Sequence, residues 1–300
     1  MTAESPAATR VRAPARIGSR IARLEPRYGA IAAAILLALM LLGAIFAGVI
    51  RPAEYLVSDL GSVLEAPSAA HPLGTDEVGR DVLAIILRGM RVSFSVSLAA
   101  AVLALVIGGS FGVLAGSAGG WVDGLMMRGV DFLSSQSHLL FGILIAVLAR
   151  PVVGGAGAIM LSVGLTHWML LARVLRAEVL SLKERQFVAA AINAGATRRQ
   201  LIVRHLIPNL APAAGLGFVL LVPHAIFHES ALSFLGVGLP VDQPSLGTLI
   251  SAGQRTLFAG AWWVILFPGL LIVLASICVG TLGEWWRDRT QPRWRAELEL

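Results

Sequence analysis

Apolar residues along this 300-residue chain come in long runs, not in the alternation of strands or the one-sided stripes of surface helices. Six runs, 28 to 50, 92 to 118, 124 to 149, 152 to 175, 210 to 235 and 262 to 283, are each near the ~20 residues that a helix needs to cross a bilayer. The pattern predicts an all-α polytopic membrane protein with six transmembrane helices. The first run is too long for the apolar core of a signal peptide, so it is expected to stay as an anchor although AIFAG has the small residues of a cleavage site. An even number of spans places both termini on one side.

The long polar interruption in the middle, Glu184 to Asn209, reads as two short helices joined by a hinge. Residues 187–194 are good helix formers, Gly195 supplies a permissive backbone, and a second helix from Arg198 to Leu206 is expected to end before Pro208. Residues alone leave two readings of this elbow: a basic connector lying on lipid headgroups, or a docking lever for a soluble motor.

Composition and charge sharpen the picture. With 56% hydrophobic and 14% charged residues, the chain is too apolar for a soluble domain of its length. The net charge of +6 comes from arginines at the chain ends and in the central loop, without interleaved aromatics, so nucleic acid is not expected as a partner. Under the six-span topology eighteen of the 24 Lys and Arg residues fall on the side of the termini and the central loop, which makes that side cytosolic. Residues 1–27 are expected to form a flexible cytosolic basic tail, 28–284 the transmembrane domain with its central loop at 176–209, and 285–300 a cytosolic C-terminal tail. Cys278 stands alone in an apolar run, so neither a disulfide nor a thiolate metal site is expected. No GxxxxGK[ST] stretch occurs, and ATP-driven work would have to come from another subunit.

Several polar groups stand out against this apolar background. In the first external loop, Gly74, Thr75, Asp76 and Gly79 make a turn, followed by Arg80 and by Asp81, which is placed to cap a helix whose apolar stripe is Val82, Ile85, Ile86 and Met90. That helix is expected to lie at the interface. The turn lacks the alternating carboxylates of a calcium loop. Span two carries Gly108, Gly112 and Gly116 for close helix approach. Asp123, Arg128 and Asp131 open span three at helical spacing, where a structural ion pair is expected within the helix or to a neighbour. His167 in span four and His224, His228 and Glu229 in span five are costly inside a membrane and are candidates for a translocation path. His224 and His228, four apart, share a helix face as transient metal ligands would; no firm metal site is expected.

Five separate strings carry a resemblance. Ala190, Ala191, Gly195, Ile207 and Pro208 fall on the spacing of the EAA loop of ABC importer permeases, with Ala189 in place of the Glu and His205 in place of the Ile. HPLGTDEVGRDV, GGWVDGLMMRGVD, ESALSFLGVG and PVDQPSLG resemble motifs of the dipeptide, oligopeptide and nickel branch of those permeases, Gln136 and Ser137 replacing the usual Phe-Pro after the second. The end of span six, with Glu284 for an Asp, is similar too, so the resemblance covers residues 30 to 292.

The resemblance implies a type I ABC importer permease fold in the bacterial inner membrane, both termini cytosolic, with the central loop acting as a coupling helix. Phe187, Ala190, Ala191, Gly195, Arg198, Arg199 and Pro208 would then meet an ATPase, and His167, His224, His228 and Glu229 would line the path. Implied partners are a second permease subunit in a heterodimer, two ABC ATPases that hold the ATP and Mg, an external solute-binding protein and membrane lipid; the chain itself would bind no cofactor and catalyse no reaction. The histidines tilt the expected cargo slightly from peptide toward nickel or a metal chelate. Two other classes are weighed. An ion-coupled secondary transporter would need inverted repeats, which are not evident, and a membrane enzyme would need HExxH or GxSxG, which are absent.

Overall fold

In lipid a lone apolar segment satisfies its own backbone groups only as a helix. The computed structural model describes residues 26–239 and 243–290, and these are built of helices with one isolated bridge, Thr75 to Asp81. Expectations for the tail arginines before residue 26, for Pro240, Val241 and Asp242 of the PVDQPSLG string, and for Arg293 and Arg295 lie outside the described residues.

The helices are α1 (Pro26–Ile45), α2 (Ala47–Ile50), α3 (Val82–Ala118), α4 (Gly120–Ser134), α5 (His138–Lys183), α6 (Gln186–Asn193), α7 (Arg198–Gln200), α8 (Ile207–Phe234), α9 (Leu246–Thr256) and α10 (Trp263–Thr290). Five stretches are long and apolar enough to cross a membrane, against the six expected. The difference arises in α5. Gly154, at φ 73° and ψ 177°, breaks its helical geometry, and the two legs fold back on one another. Ser162 donates to the Gly142 carbonyl at 2.6 Å, Ser134 to the Met169 sulfur at 3.3 Å, and Arg176 to Asp123, so residues 123–153 run antiparallel to 155–176. The expected third span is itself split, between α4 and the first leg of α5, at Ser135, Gln136 and Ser137.

Two other expectations change. The interfacial helix after Asp81 does not stand apart from span two: Val82–Ala118 is one helix of 37 residues, its Val82, Ile85, Ile86 and Met90 stripe buried as the spacing indicated. Pro208 does not end the second helix of the elbow. Leu201–Leu206 forms a π-helical turn, which widens the backbone before Pro208, and the helix continues from Ile207 to Phe234. The Asn209 side chain donates to the His205 carbonyl at 2.6 Å there.

The core follows from small residues. Gly108, Gly112 and Gly116 lie one turn apart on α3 against the second leg of α5, and a Cβ at Gly112 would stand 2.6 Å from the Ala172 carbonyl oxygen. Only glycine allows that approach. A second apolar cluster joins α1, α3, α8, α9 and α10 through Met40, Ile86, Ile226, Leu246 and Ile272. Other large apolar side chains, such as Leu140 and Trp121, face outward, as lipid contact requires.

Candidate functional site

At one end of the bundle, α6 and α7 form the elbow. Val188 turns inward and packs with Val179, Leu182, Leu206 and Leu210, which ties α6 to the end of α5 and to the root of α8. Gly195 makes the turn at φ 81°, a left-handed conformation that side-chain-bearing residues avoid. Thr197 then caps α7 in a reciprocal pair with Gln200, satisfying the backbone N–H groups that start a helix. The outward face carries Phe187, Ala190, Gly195, Arg198, Arg199 and Pro208, all exposed, with Ala191 half-buried. Phe187 lies 6.5 Å from the His205 ring. The sequence-predicted coupling residues thus lie on the exposed side of the elbow and the root of α8, next to an apolar plug.

Above the elbow, two ion pairs bind α4 to α5: Arg176 to Asp123 and Arg173 to Asp131, the latter at 2.9 Å. The expected pairing is therefore made with a neighbouring helix and not by Arg128.

Deeper in the bundle the histidines converge. His167 is buried and its Nδ1 lies 3.0 Å from the Val163 carbonyl and 2.9 Å from Thr166. Its ring stands 4.5 Å from that of His228 and 5.2 Å from that of His138, with 6.4 Å between His138 and His228. Three segments, the two legs of α5 and α8, each contribute one imidazole. His224, one turn along α8, is exposed and its Nδ1 is 3.2 Å from the Leu220 carbonyl. The pair singled out by spacing, His224 with His228, is thus not the pair in closest ring contact. His138 is a member that sequence reading missed; nothing local marks it, since its neighbour His167 is 29 residues away and meets it only because Gly154 folds the helix back. Among the described residues no group of three or more His, Cys, Asp or Glu side chains is arranged to hold a metal ion.

Glu229 does not join the imidazoles. Fully buried, it accepts hydrogen bonds from Ser233 at 3.0 Å and from Ser230 at 3.2 Å, while Ser93 of α3 accepts from the Leu246 N–H at the start of α9. Glu229 is thus held by two hydroxyls of its own helix in the packed interior, apart from the imidazoles.

The external-loop residues form a compact knot. Thr75 donates to the Ser62 carbonyl at 2.5 Å and accepts from the Glu65 N–H at 2.7 Å. Asp76 accepts from the Arg80 N–H and side chain, both at 2.8 Å. Asp81 caps α3 through the Ala84 N–H at 2.8 Å, with His71 3.0 Å from its other oxygen. Gly74 and Gly79 both adopt positive φ, and a Cβ on Gly79 would collide with the Asp59 carbonyl. Asp59 itself is held below the usual carboxylate range by the Gly61 N–H and the Ser62 hydroxyl. Trp263 donates to the Thr75 carbonyl at 3.0 Å, pinning the knot to α10. Of the predicted residues here Arg80 is half-buried and the others are buried, which makes the segment a fixed plug on the bundle and not an open loop.

Known proteins are similar in sequence to this chain over most of their length. Residues 108–296 match the model of the family described as binding-protein-dependent transport system inner membrane component. The chain is 35% identical over 273 residues, 91% of its length and 84% of the relative's, to the dipeptide transport system permease protein DppC of Bacillus subtilis. It is also 35% identical to the oligopeptide transport system permease proteins OppC of Haemophilus influenzae, over 88% of this chain and 84% of that one, and of Mycobacterium tuberculosis, over 92% and 94%. On the extent of both matches, the chain belongs to the family of binding-protein-dependent transport system inner membrane components.

Proposed function

We propose that this protein is a permease subunit of an ATP-driven ABC importer that carries peptides delivered by a solute-binding protein, in the type I importer fold with six membrane crossings and cytosolic termini. The observation that carries the reading is the elbow: a short helix with an exposed small-residue face, hinged at Gly195 and plugged by Val188 into the ends of α5 and α8. A partner pushing on α6 would act on the ends of both long helices at once. Peptide as cargo is supported by relatives named as dipeptide and oligopeptide permeases.

In this mechanism the chain makes and breaks no bond. Two partner ATPases hold ATP and Mg, a second, different permease completes the path, and the binding protein docks on the external side. ATPase closure and the loaded binding protein each favour one of two arrangements of the path, and alternation between them moves cargo inward. The test is uptake into proteoliposomes holding the complete importer. Peptide uptake that requires ATP inside the ATPase compartment and persists when the proton gradient is collapsed supports the reading. Uptake that follows a proton or sodium gradient and ignores ATP overturns it in favour of a secondary transporter.

A second reading, a metal chelate as cargo, has one observation behind it, the convergence of His138, His167 and His228 from three segments. A His138→Ala/His228→Ala variant that loses nickel uptake but keeps peptide uptake would favour it.

A further inference from the structure

Between α1, α3, α8 and α10 lies a groove of about 410 Å³, and among the described residues its lining is Leu, Val, Ile, Phe and Trp alone. Ile226 and Val279, both buried, form its floor, and Leu41, Leu98 and Trp286, all exposed, form its rim, so it opens on the outside of the bundle. Val279 to Trp286 covers ~10 Å of α10 at ~1.5 Å per residue, which draws the groove out along the helix axes. Trp286 marks one end of it. A Cβ on Gly215 would stand 3.8 Å from the Trp286 ring, near the root of α8 and so at the elbow end of the bundle.

The groove lies away from the imidazoles. Val219, Val222 and Ile226 line it from one face of α8, whereas His224 and His228 stand two positions beyond Val222 and Ile226, about 200° round the helix. With the path and the second permease on the imidazole side, this groove is left to lipid. An apolar cavity does not hold water, and in a bilayer the apolar group at hand is an acyl chain. On α10 the lining face continues into the last turn, because Arg289 is seven residues from Leu282 and four from Trp285. The Arg289 guanidinium sits 4.3 Å from the centre of the Trp285 ring. Glu284 and Asp288 lie about 100° or more round the helix from it. An arginine beside two tryptophans at the end of an apolar slot matches a phosphate at the head of an acyl chain.

We propose that this groove holds an acyl chain of an anionic phospholipid of the cytoplasmic leaflet, with the lipid phosphate against Arg289. The site rests on the cytosolic placement of the elbow end given above, because anionic headgroups of that leaflet are what basic residues between membrane helices meet. One wall of the groove is α8, whose root packs on α6, so the lipid bears on a helix that the elbow engages.

The experiment delipidates the purified complete importer in detergent, titrates it with phosphatidylglycerol or phosphatidylcholine of matched acyl chains, and counts bound lipid by native mass spectrometry. Counting lipid requires no transport, so the result stands apart from the cargo reading. Wild type is compared with Val219→Phe, which fills the groove, and with Arg289→Gln, which removes the headgroup contact. Wild type is expected to hold at least one phosphatidylglycerol more per complex than Val219→Phe and to prefer phosphatidylglycerol over phosphatidylcholine fivefold or more, and Arg289→Gln to lose that preference. Should Val219→Phe not assemble, Leu98→Trp closes the mouth of the groove from its exposed rim instead. Equal lipid counts in wild type and the filled variant, equal affinity of wild type for the two lipids, or a preference untouched by Arg289→Gln each overturns the proposal. A photoreactive p-benzoylphenylalanine in place of Leu98 identifies the occupant in membranes: a phospholipid adduct supports the proposal, and an adduct to the second permease overturns it.

Discussion

Gly195 carries the elbow's geometry by itself. Its φ of 81° lies in the left-handed region, and no atom stands within 4 Å of where its Cβ would be, so the cost of a side chain there is backbone strain and not collision. For a β-branched residue that strain is about 1–2 kcal/mol, enough to shift a two-state elbow roughly 5- to 30-fold. Gly195→Val is therefore expected to lower binding-protein-stimulated ATP hydrolysis by that factor while membrane abundance stays normal; stimulation at the wild-type level would remove α6 from the coupling step. Thr75 shows how burial redirects a test. It lies in the external loop by sequence, but both of its neighbours' backbones hold it and it is fully buried, so a cysteine there would be shielded on either side of the membrane. Glu77, exposed two residues on, is the better reporter. In a Cys278→Ala background, Glu77→Cys is expected to react with an impermeant thiol reagent in intact cells, and protection of that residue would reverse the proposed orientation.

Among the helices, the α3 and α5 pair depends most on the absence of side chains. A Cβ at Gly112 meets a carbonyl oxygen at 2.6 Å, whereas one at Gly109, three residues away, meets only a Leu175 methyl at the ordinary distance of 3.7 Å. Overpacking of a close helix contact costs about 1–3 kcal/mol. Gly112→Val is expected to lower the apparent melting temperature of the detergent-purified protein by several degrees and Gly109→Val to leave it nearly unchanged; equal behaviour of the two would mean that the helices separate without cost. The π-helical turn Leu201–Leu206 is the other feature set by an element's surroundings. Read locally, Pro208 stops a helix, because it lacks an N–H and its ring crowds the preceding turn. In the folded chain Leu206 and Leu210, on either side of it, are both buried in the plug with Val188, and keeping both there favours a widened turn over a break.

For the molecule as a whole, the arrangement separates two polar ends with an apolar body, the elbow at one and the Thr75 knot at the other. Signals between them travel along the long helices, and α5 and α8 are the two whose ends α6 packs against at the elbow. Coupling then predicts a specific dependence: crosslinking α5 to α8 through cysteines placed at Met169 and Leu221, which share one apolar cluster, should block uptake while ATP still binds the partners. Undiminished uptake with the crosslink formed would show that these helices do not move relative to one another during transport.

What the chain settled alone is whatever depends on neighbours in sequence. Run length marked the apolar stretches that become long helices, Asp81 announced its cap, the Gly74 to Asp81 string its turn, Gly195 its hinge, and the ordered motifs the family, because each is decided within a few turns of backbone by propensity, hydrogen-bond supply and apolar length. Tertiary structure decided what depends on which helix lies against which. It brought His138 to His167 and His228 by folding α5 at Gly154, carried the helix through Pro208, turned Asp123 and Asp131 toward Arg176 and Arg173, and buried Thr75 and Glu229. The residues in those pairings stand up to 90 positions apart, as His138 and His228 do, and hydrophobic period says which face of a helix is buried but not which partner buries it.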